Sequence, residues 1–163
     1  MSHQPLIDGF EFAAAGAKQQ GVWAVGDFPR LRDMLASDAG EIRYSIEGVR
    51  DARDRPALRV KLRGMLTLRC QRCLETMDFD VDTDETLVLA ASQAEIDAEP
   101  TDPSAPDRLL AAEEVRVRDV LEDELILALP YAPRHEGCEM DAETHGDEKI
   151  SPFAGLRGML RKH

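Results

Sequence analysis

Aromatic residues are scarce in this 163-residue chain, at 5% of positions, so any core it builds must be aliphatic. Positive charge is scarce too: 20 Lys and Arg stand against 32 Asp and Glu, a net charge of −12. That balance argues against wholesale nucleic-acid binding, because phosphate contacts need local positive charge. Three cysteines, an odd number, do not make a secreted disulfide framework. Nowhere does an apolar run reach the roughly eighteen residues of a membrane-spanning helix. The opening Met1-Ser2-His3-Gln4-Pro5 lacks the basic and apolar regions of a signal peptide, so the expected location is a reducing cytoplasm. Also missing are the spaced motifs of familiar enzymes: no glycine-rich phosphate loop, no GxSxG and no HExxH. No pair of carboxylates or histidines stands apart from the rest, and the chain is expected not to be an enzyme.

What is present is unevenly distributed. Residues 43–72 carry nine Lys/Arg against three Asp/Glu, a local charge of +6 that leaves −18 for the remainder. Within and after this basic middle, alternation of apolar and polar residues predicts strands. Ile42, Tyr44 and Ile46 alternate with Arg43, Ser45 and Glu47. Leu58, Val60, Leu62, Gly64, Leu66 and Leu68 alternate with Arg59, Lys61, Arg63, Met65, Thr67 and Arg69. Met77, Phe79, Val81, Leu87 and Leu89 fall among Asp78, Asp80, Asp82 and Asp84. A reversal centred on Gln71-Arg72 would pair residues whose numbers add to 143. Arg59 would then face Asp84, Lys61 Asp82 and Arg63 Asp80, with Leu66 against Met77 and Leu62 against Val81. Each such pair contributes roughly 0.2–1 kcal/mol, and a one-residue slip would send apolar side chains to solvent. The same pairing neutralises a stripe that would otherwise resemble an RNA-binding surface. Arg69, Arg72, Arg43, Arg50, Arg53 and Arg55 are left uncompensated by it, and are the candidate nucleic-acid contacts.

Around this hairpin the helix signals are shorter. Phe10–Gln20 has helix-forming composition and is expected to stop at Gly21, before an apolar connector or strand at Val22–Val25. Asp27 and Pro29 are expected to start a second helix reaching Asp38-Ala39-Gly40. Residues 92–107, rich in Asp, Glu and Pro, read as a disordered acidic loop. Val115 and Val117 could close a last short strand. Val117, Val120, Leu121, Leu125 and Ala128 repeat at helical spacing over 118–129, with Glu122 and Asp123 exposed; Pro130 ends this helix. The carboxylate run Glu122-Asp123-Glu124 reads as a solvated face. The last segment is amphipathic, with Phe153, Leu156 and Leu160 available to dock on the domain or on a partner. The organisation expected is an N-terminal helical segment over 1–40, a core over 41–147 and a C-terminal tail over 148–163. The fold class is α+β: an antiparallel sheet with a long charged hairpin, a few helices packed on one face, and CxxC at the hairpin tip.

Cys70 and Cys73, three apart at that tip, have the spacing of a zinc knuckle, and His135 and Cys138 could complete a Cys3His tetrahedron. No coordination position would stay open, so the site would be structural. Closing about sixty intervening residues costs roughly 4 kcal/mol of loop entropy, against the order of 10–16 kcal/mol that structural zinc supplies. The alternative is two buried thiols with His135 and Cys138 in an unrelated surface loop. A redox dithiol fits less well, because thioredoxin-type CxxC motifs begin a helix and here a strand follows.

Three stretches together resemble one bacterial family. They are Leu68-Arg69-Cys70-Gln71-Arg72-Cys73; Val120 to Pro130 followed by Pro133 and His135-Glu136-Gly137-Cys138; and Pro152-Phe153-Ala154-Gly155-Leu156. In this order they are similar to the YceD proteins, called large ribosomal RNA subunit accumulation proteins. The resemblance implies a non-enzymatic factor for accumulation or processing of large-subunit ribosomal RNA. It would act on precursor RNA or on a basic ribosomal or assembly protein. It supplies no catalytic residues. By motif position Cys70, Cys73, His135 and Cys138 inherit the family's Cys/His pattern, with His145 as a spare fourth ligand. A zinc-stabilised interaction module unrelated to ribosomes is the alternative.

Overall fold

The computed structural model describes residues 5–100 and 102–138. In chain order these form β1 (Leu6–Ile7), α1 (Gly9–Ala14), β2 (Lys18–Ala24), a 3-10 turn (Val25–Asp27), α2 (Pro29–Arg32), β3 (Glu41–Arg50) and β4 (Pro56–Arg69). They continue with β5 (Thr76–Ala90), α3 (Gln93–Asp97), β6 (Arg108–Leu110), β7 (Val115–Arg116) and α4 (Val117–Ala128). A five-stranded sheet runs in the order β2-β3-β4-β5-β6, antiparallel except that β6 lies parallel to β5. β7 pairs instead with β1 in a separate two-stranded sheet, so the strand expected near 115 does not join the main one. The amphipathic C-terminal tail over 148–163 and the spare ligand His145 lie outside the described residues.

The alternation seen in the sequence is realised across the sheet. Leu58, Val60, Leu62, Leu66 and Leu68 are buried, while Arg59, Lys61, Arg63 and Arg69 are exposed. Each fully buried leucine stabilises the fold by roughly 1.5–3 kcal/mol relative to exposure. Helices α1, α2 and α4 cover this apolar face; Val25, Phe28 and Leu31 from the N-terminal region and Val117, Leu121 and Leu125 from α4 complete the core. α1 crosses so close to β3 that a Cβ on Gly48 would overlap the Phe12 carbonyl. Only glycine permits that approach.

Three expectations are corrected here. First, α1 ends at Ala14, and Lys18-Gln19-Gln20 together with Gly21 belong to β2, where they pair with β3 from Glu47 to Tyr44. Sheet pairing overrides helix-favouring composition. Secondly, α2 is one turn long, begins at Pro29 and is not capped by the Asp27 side chain. Its N-terminal amides are instead satisfied from α4: Glu122, 1% exposed, accepts the backbone N–H groups of Arg30 (2.6 Å) and Leu31 (3.1 Å) and the Arg30 Nε–H (2.9 Å). Glu122 is therefore a buried cap, not part of a solvated face. Thirdly, the acidic segment after β5 contains α3, capped by the Ser92 hydroxyl, and is bound by ion pairs from Arg108 to Glu95 and Glu99 and from Arg55 to Glu99.

The β4–β5 register is also displaced. Partners add to 145, so Leu66 faces Phe79, Leu68 faces Met77 and Lys61 faces Asp84. The cause is a six-residue reversal closed by Cys70 N–H to the Glu75 carbonyl (2.8 Å), with Leu74 at φ 63°. A displacement of two residues leaves every side chain on its expected face. Charge pairing survives: Arg59 reaches diagonally to Asp84 (2.7 Å), Lys61 pairs with Asp84 (3.2 Å) and Arg63 with Asp82 (3.0 Å). Asp80, expected opposite Arg63, lies opposite Met65 instead.

Candidate metal centre and the surfaces around it

Two chain segments build the hairpin tip. The reversal between β4 and β5 carries Cys70 and Cys73, and the segment after α4 returns His135 and Cys138 to it. Pro130 and Pro133 break helical continuation, and the Gln71 N–H donates to the Pro133 carbonyl (2.8 Å), tying the segments backbone to backbone. Gly137, at φ 72°, turns the chain so that the Cys138 N–H meets the His135 carbonyl (3.3 Å). The four ligand atoms lie within 4.8 Å of one another.

The spacings suit a tetrahedral ion. Two Zn–S bonds of about 2.3 Å at the tetrahedral angle would hold their sulfurs about 3.8 Å apart. Cys70 Sγ and Cys138 Sγ are 3.8 Å apart, and Cys73 Sγ lies 3.3 Å from His135 Nδ1. All three cysteines are free. His135 Nε2 is 3.1 Å from the Thr76 carbonyl, which accepts its proton and leaves Nδ1 bare toward the sulfurs. Such a second hydrogen bond is how metal-binding imidazoles are held in the ligating tautomer.

Electrostatics at the tip point the same way. Backbone N–H groups of Cys73 and Arg72 directed at the Cys70 sulfur lower its pKa to about 5. Burial, followed by proximity to the Cys73 and Cys70 sulfurs, raises Cys138 to about 11. The Thr76 carbonyl, and then the Cys70 sulfur, raise His135. Three thiols this close resist joint ionisation unless a cation sits among them. The donor set Cys3His is closed, with no position reserved for substrate, and is compatible with a metal site.

The six arginines singled out from the sequence do not form one patch. Arg69 and Arg72 brace the tip, donating to the Leu74 carbonyl (3.2 Å) and the Cys138 carbonyl (2.6 Å). Arg50, Arg53 and Arg55 sit at the opposite end of β4, roughly 40 Å away along a 14-residue strand. There Arg50 pairs with Asp54 (3.6 Å), and Arg55 pairs with Asp51 (2.7 Å) and Glu99 (2.8 Å), so these two are compensated after all. Arg53 is exposed, and its backbone N–H donates to Asp51. Arg43, in mid-sheet directly opposite Arg63, has no carboxylate within 4 Å among the described residues.

Glu124, expected on a solvated face, is buried instead. It is 7% exposed, and no hydrogen bond or ion pair reaches it among the described residues. Its pKa is pushed up to about 7 by burial, then by Asp107, Glu85 and Asp123. The signal was available: position 124 falls on the same helical stripe as Val117, Val120 and Leu121, which are seven, four and three residues before it.

No helix among the described residues is long and apolar enough to cross a membrane. A search of solved structures returns no match. The Haemophilus influenzae protein named large ribosomal RNA subunit accumulation protein YceD is 26% identical over 152 residues, covering 87% of each chain. The family model described as large ribosomal RNA subunit accumulation protein YceD matches residues 58–160, which takes in β4, the hairpin tip, α4 and the returning Cys/His segment. With more than half of its length inside that match, the chain belongs to the YceD family.

Proposed function

We propose that this protein is a cytoplasmic, non-enzymatic factor supporting accumulation of large-subunit ribosomal RNA, and that it acts by binding a basic ribosomal or assembly protein. The ribosomal part rests on family membership and on the name of the Haemophilus influenzae relative. The choice of a protein partner rests on one observation: each base of the comb Arg59, Lys61 and Arg63 is ion-paired with Asp84 or Asp82, in a chain of net charge −12. A chain this acidic overall repels bare phosphate and attracts basic protein. Zinc is the metal proposed for Cys70, Cys73, His135 and Cys138. Bound there, it supplies a rigid cross-link between the hairpin and the segment after α4 and no reaction centre.

Pull-down from bacterial extract, with and without nuclease, tests this. A basic ribosomal or assembly protein retained after nuclease treatment is the expected result. Capture that disappears with nuclease, and that weakens steeply with salt and on Arg43→Ala, would place the contact on RNA instead.

A further inference from the structure

Between α4 and the β5–β6 edge lies an open cleft of about 450 Å3, within the ~300–1,000 Å3 common for ligand clefts. Its walls include Leu87, Leu109, Val120 and Leu127, and Glu124 lines it. Leu127, 70% exposed, stands at the mouth. A carboxylate this deeply placed normally has a cation or several donors. Glu124 has neither, and the reason is visible in its neighbours. Two cations line the same cleft: Arg30 is engaged by Glu122 and Asp123, and Arg108 is ion-paired with Glu95 and Glu99, although its Nε is buried without a hydrogen-bond partner. The remaining charges that bear on Glu124, Asp107, Glu85 and Asp123, are all negative. At Glu124 the cleft therefore carries a negative charge that no cation among the described residues pairs with.

We propose that this cleft receives a single lysine or arginine side chain presented by a basic protein partner, the Glu124 carboxylate taking the cationic head and Leu87, Leu109, Val120 and Leu127 lining its aliphatic stem. The occupant's chemistry follows from the walls. A bare divalent cation needs several oxygen ligands, and the Cys/His group is the only set of three or more potential ligands so close together among the described residues. Apolar walls leading to one buried carboxylate suit a long methylene stem ending in a charge. Side chains seated in pockets commonly dominate binding energy at protein interfaces. The inference rests on the protein-partner reading above and names the pocket that reading lacks.

The test uses the full chain and a labelled ten-residue peptide with one central lysine flanked by leucines, followed by fluorescence anisotropy. The lysine peptide is expected to bind at least tenfold more tightly than the same peptide with norleucine in place of lysine. Glu124→Gln is expected to weaken lysine-peptide binding at least tenfold while its thermal transition persists. Leu127→Lys, a change at an exposed position, should do the same by delivering an amine to Glu124 from one turn away. Equal binding by wild type and Glu124→Gln, equal binding of the two peptides, or no binding at all would overturn the proposal. The chain's own basic end is the competing occupant. A full chain carrying glutamine at Arg157, Arg161 and Lys162 that binds the peptide tenfold more tightly would assign the cleft to that end and overturn the partner assignment. The two readings fail separately. A basic partner captured equally by wild type and Glu124→Gln removes the cleft and keeps the function. Peptide binding that depends on Glu124, with no basic protein captured from extract, does the reverse.

Discussion

At the hairpin tip, three sulfurs and an imidazole face one another within 4.8 Å, held by backbone hydrogen bonds from both contributing segments. On α4, Glu124 faces apolar walls and cations already engaged elsewhere. Both places gather polar groups that this chain's described residues leave without a paired cation. They differ in how the groups converge. Four ligand atoms aimed at one point suit an ion; one carboxylate at the end of an apolar cleft suits a side chain. Within α4 itself the contrast sharpens, because Glu122 and Glu124 are two positions apart and both buried, yet Glu122 has three donors within 3.1 Å and Glu124 has none.

The largest expected effect falls at the tip. Removing the metal with a strong chelator, or Cys138→Ser, should cost several kcal/mol of the roughly 10–16 kcal/mol that structural zinc supplies. For a chain of this size that lowers the melting temperature by about 10–20 °C. Metal content and calorimetry check it, and an unchanged transition after demonstrated metal loss would show that the tip is held by packing alone. Next is Glu122→Ala, which strands the Arg30 and Leu31 amides and is expected to destabilise by about 3 kcal/mol in urea denaturation.

Glu124→Gln should move stability the other way. Folded Glu124 keeps its proton up to about pH 7, whereas the unfolded carboxyl releases it near its ordinary 4.5. The folded state thus binds the extra proton between those values, and its stability falls as pH rises through that window, by up to about 3 kcal/mol. Asp107, Glu85 and Asp123 face the group and raise its pKa, while Arg30 and Arg108 are held by other carboxylates. Replacement by glutamine removes this slope but buries an amide, so the net gain at pH 8 is about 1–2 kcal/mol. Urea denaturation of both proteins at pH 5 and pH 8 reads it; parallel pH profiles would mean that Glu124 is solvated in solution. The smallest effect belongs to the charged comb. Arg63→Ala, at an exposed pair, is expected to change stability by less than about 1 kcal/mol, and less still at high salt.

Much of this arrangement was legible before any coordinates. Period-two alternation placed β3, β4 and β5 and their inner faces, and helical spacing ended at Pro130 placed α4, because each pattern follows from a local backbone geometry. The four metal-ligand candidates stood out by residue type and close spacing within each pair. Other features were not local. Lys18–Gln20 became strand only because β3 offered a partner. The register depended on how many residues the reversal absorbs, which alternation does not encode, although both registers point the same side chains inward.

Sequence by itself determined which residues form strands around the Cys70–Cys73 turn and which atoms could ligate an ion, since periodicity and donor chemistry are carried by the residues themselves. Only the tertiary structure decided that His135 and Cys138 return to that turn. It alone decided that one of two neighbouring glutamates is a satisfied cap and the other an unmet charge. The physical reason is that burial and hydrogen-bond supply belong to the surroundings, and the surroundings of α4 come from α2, β5 and β6, up to 90 residues or more away in the chain.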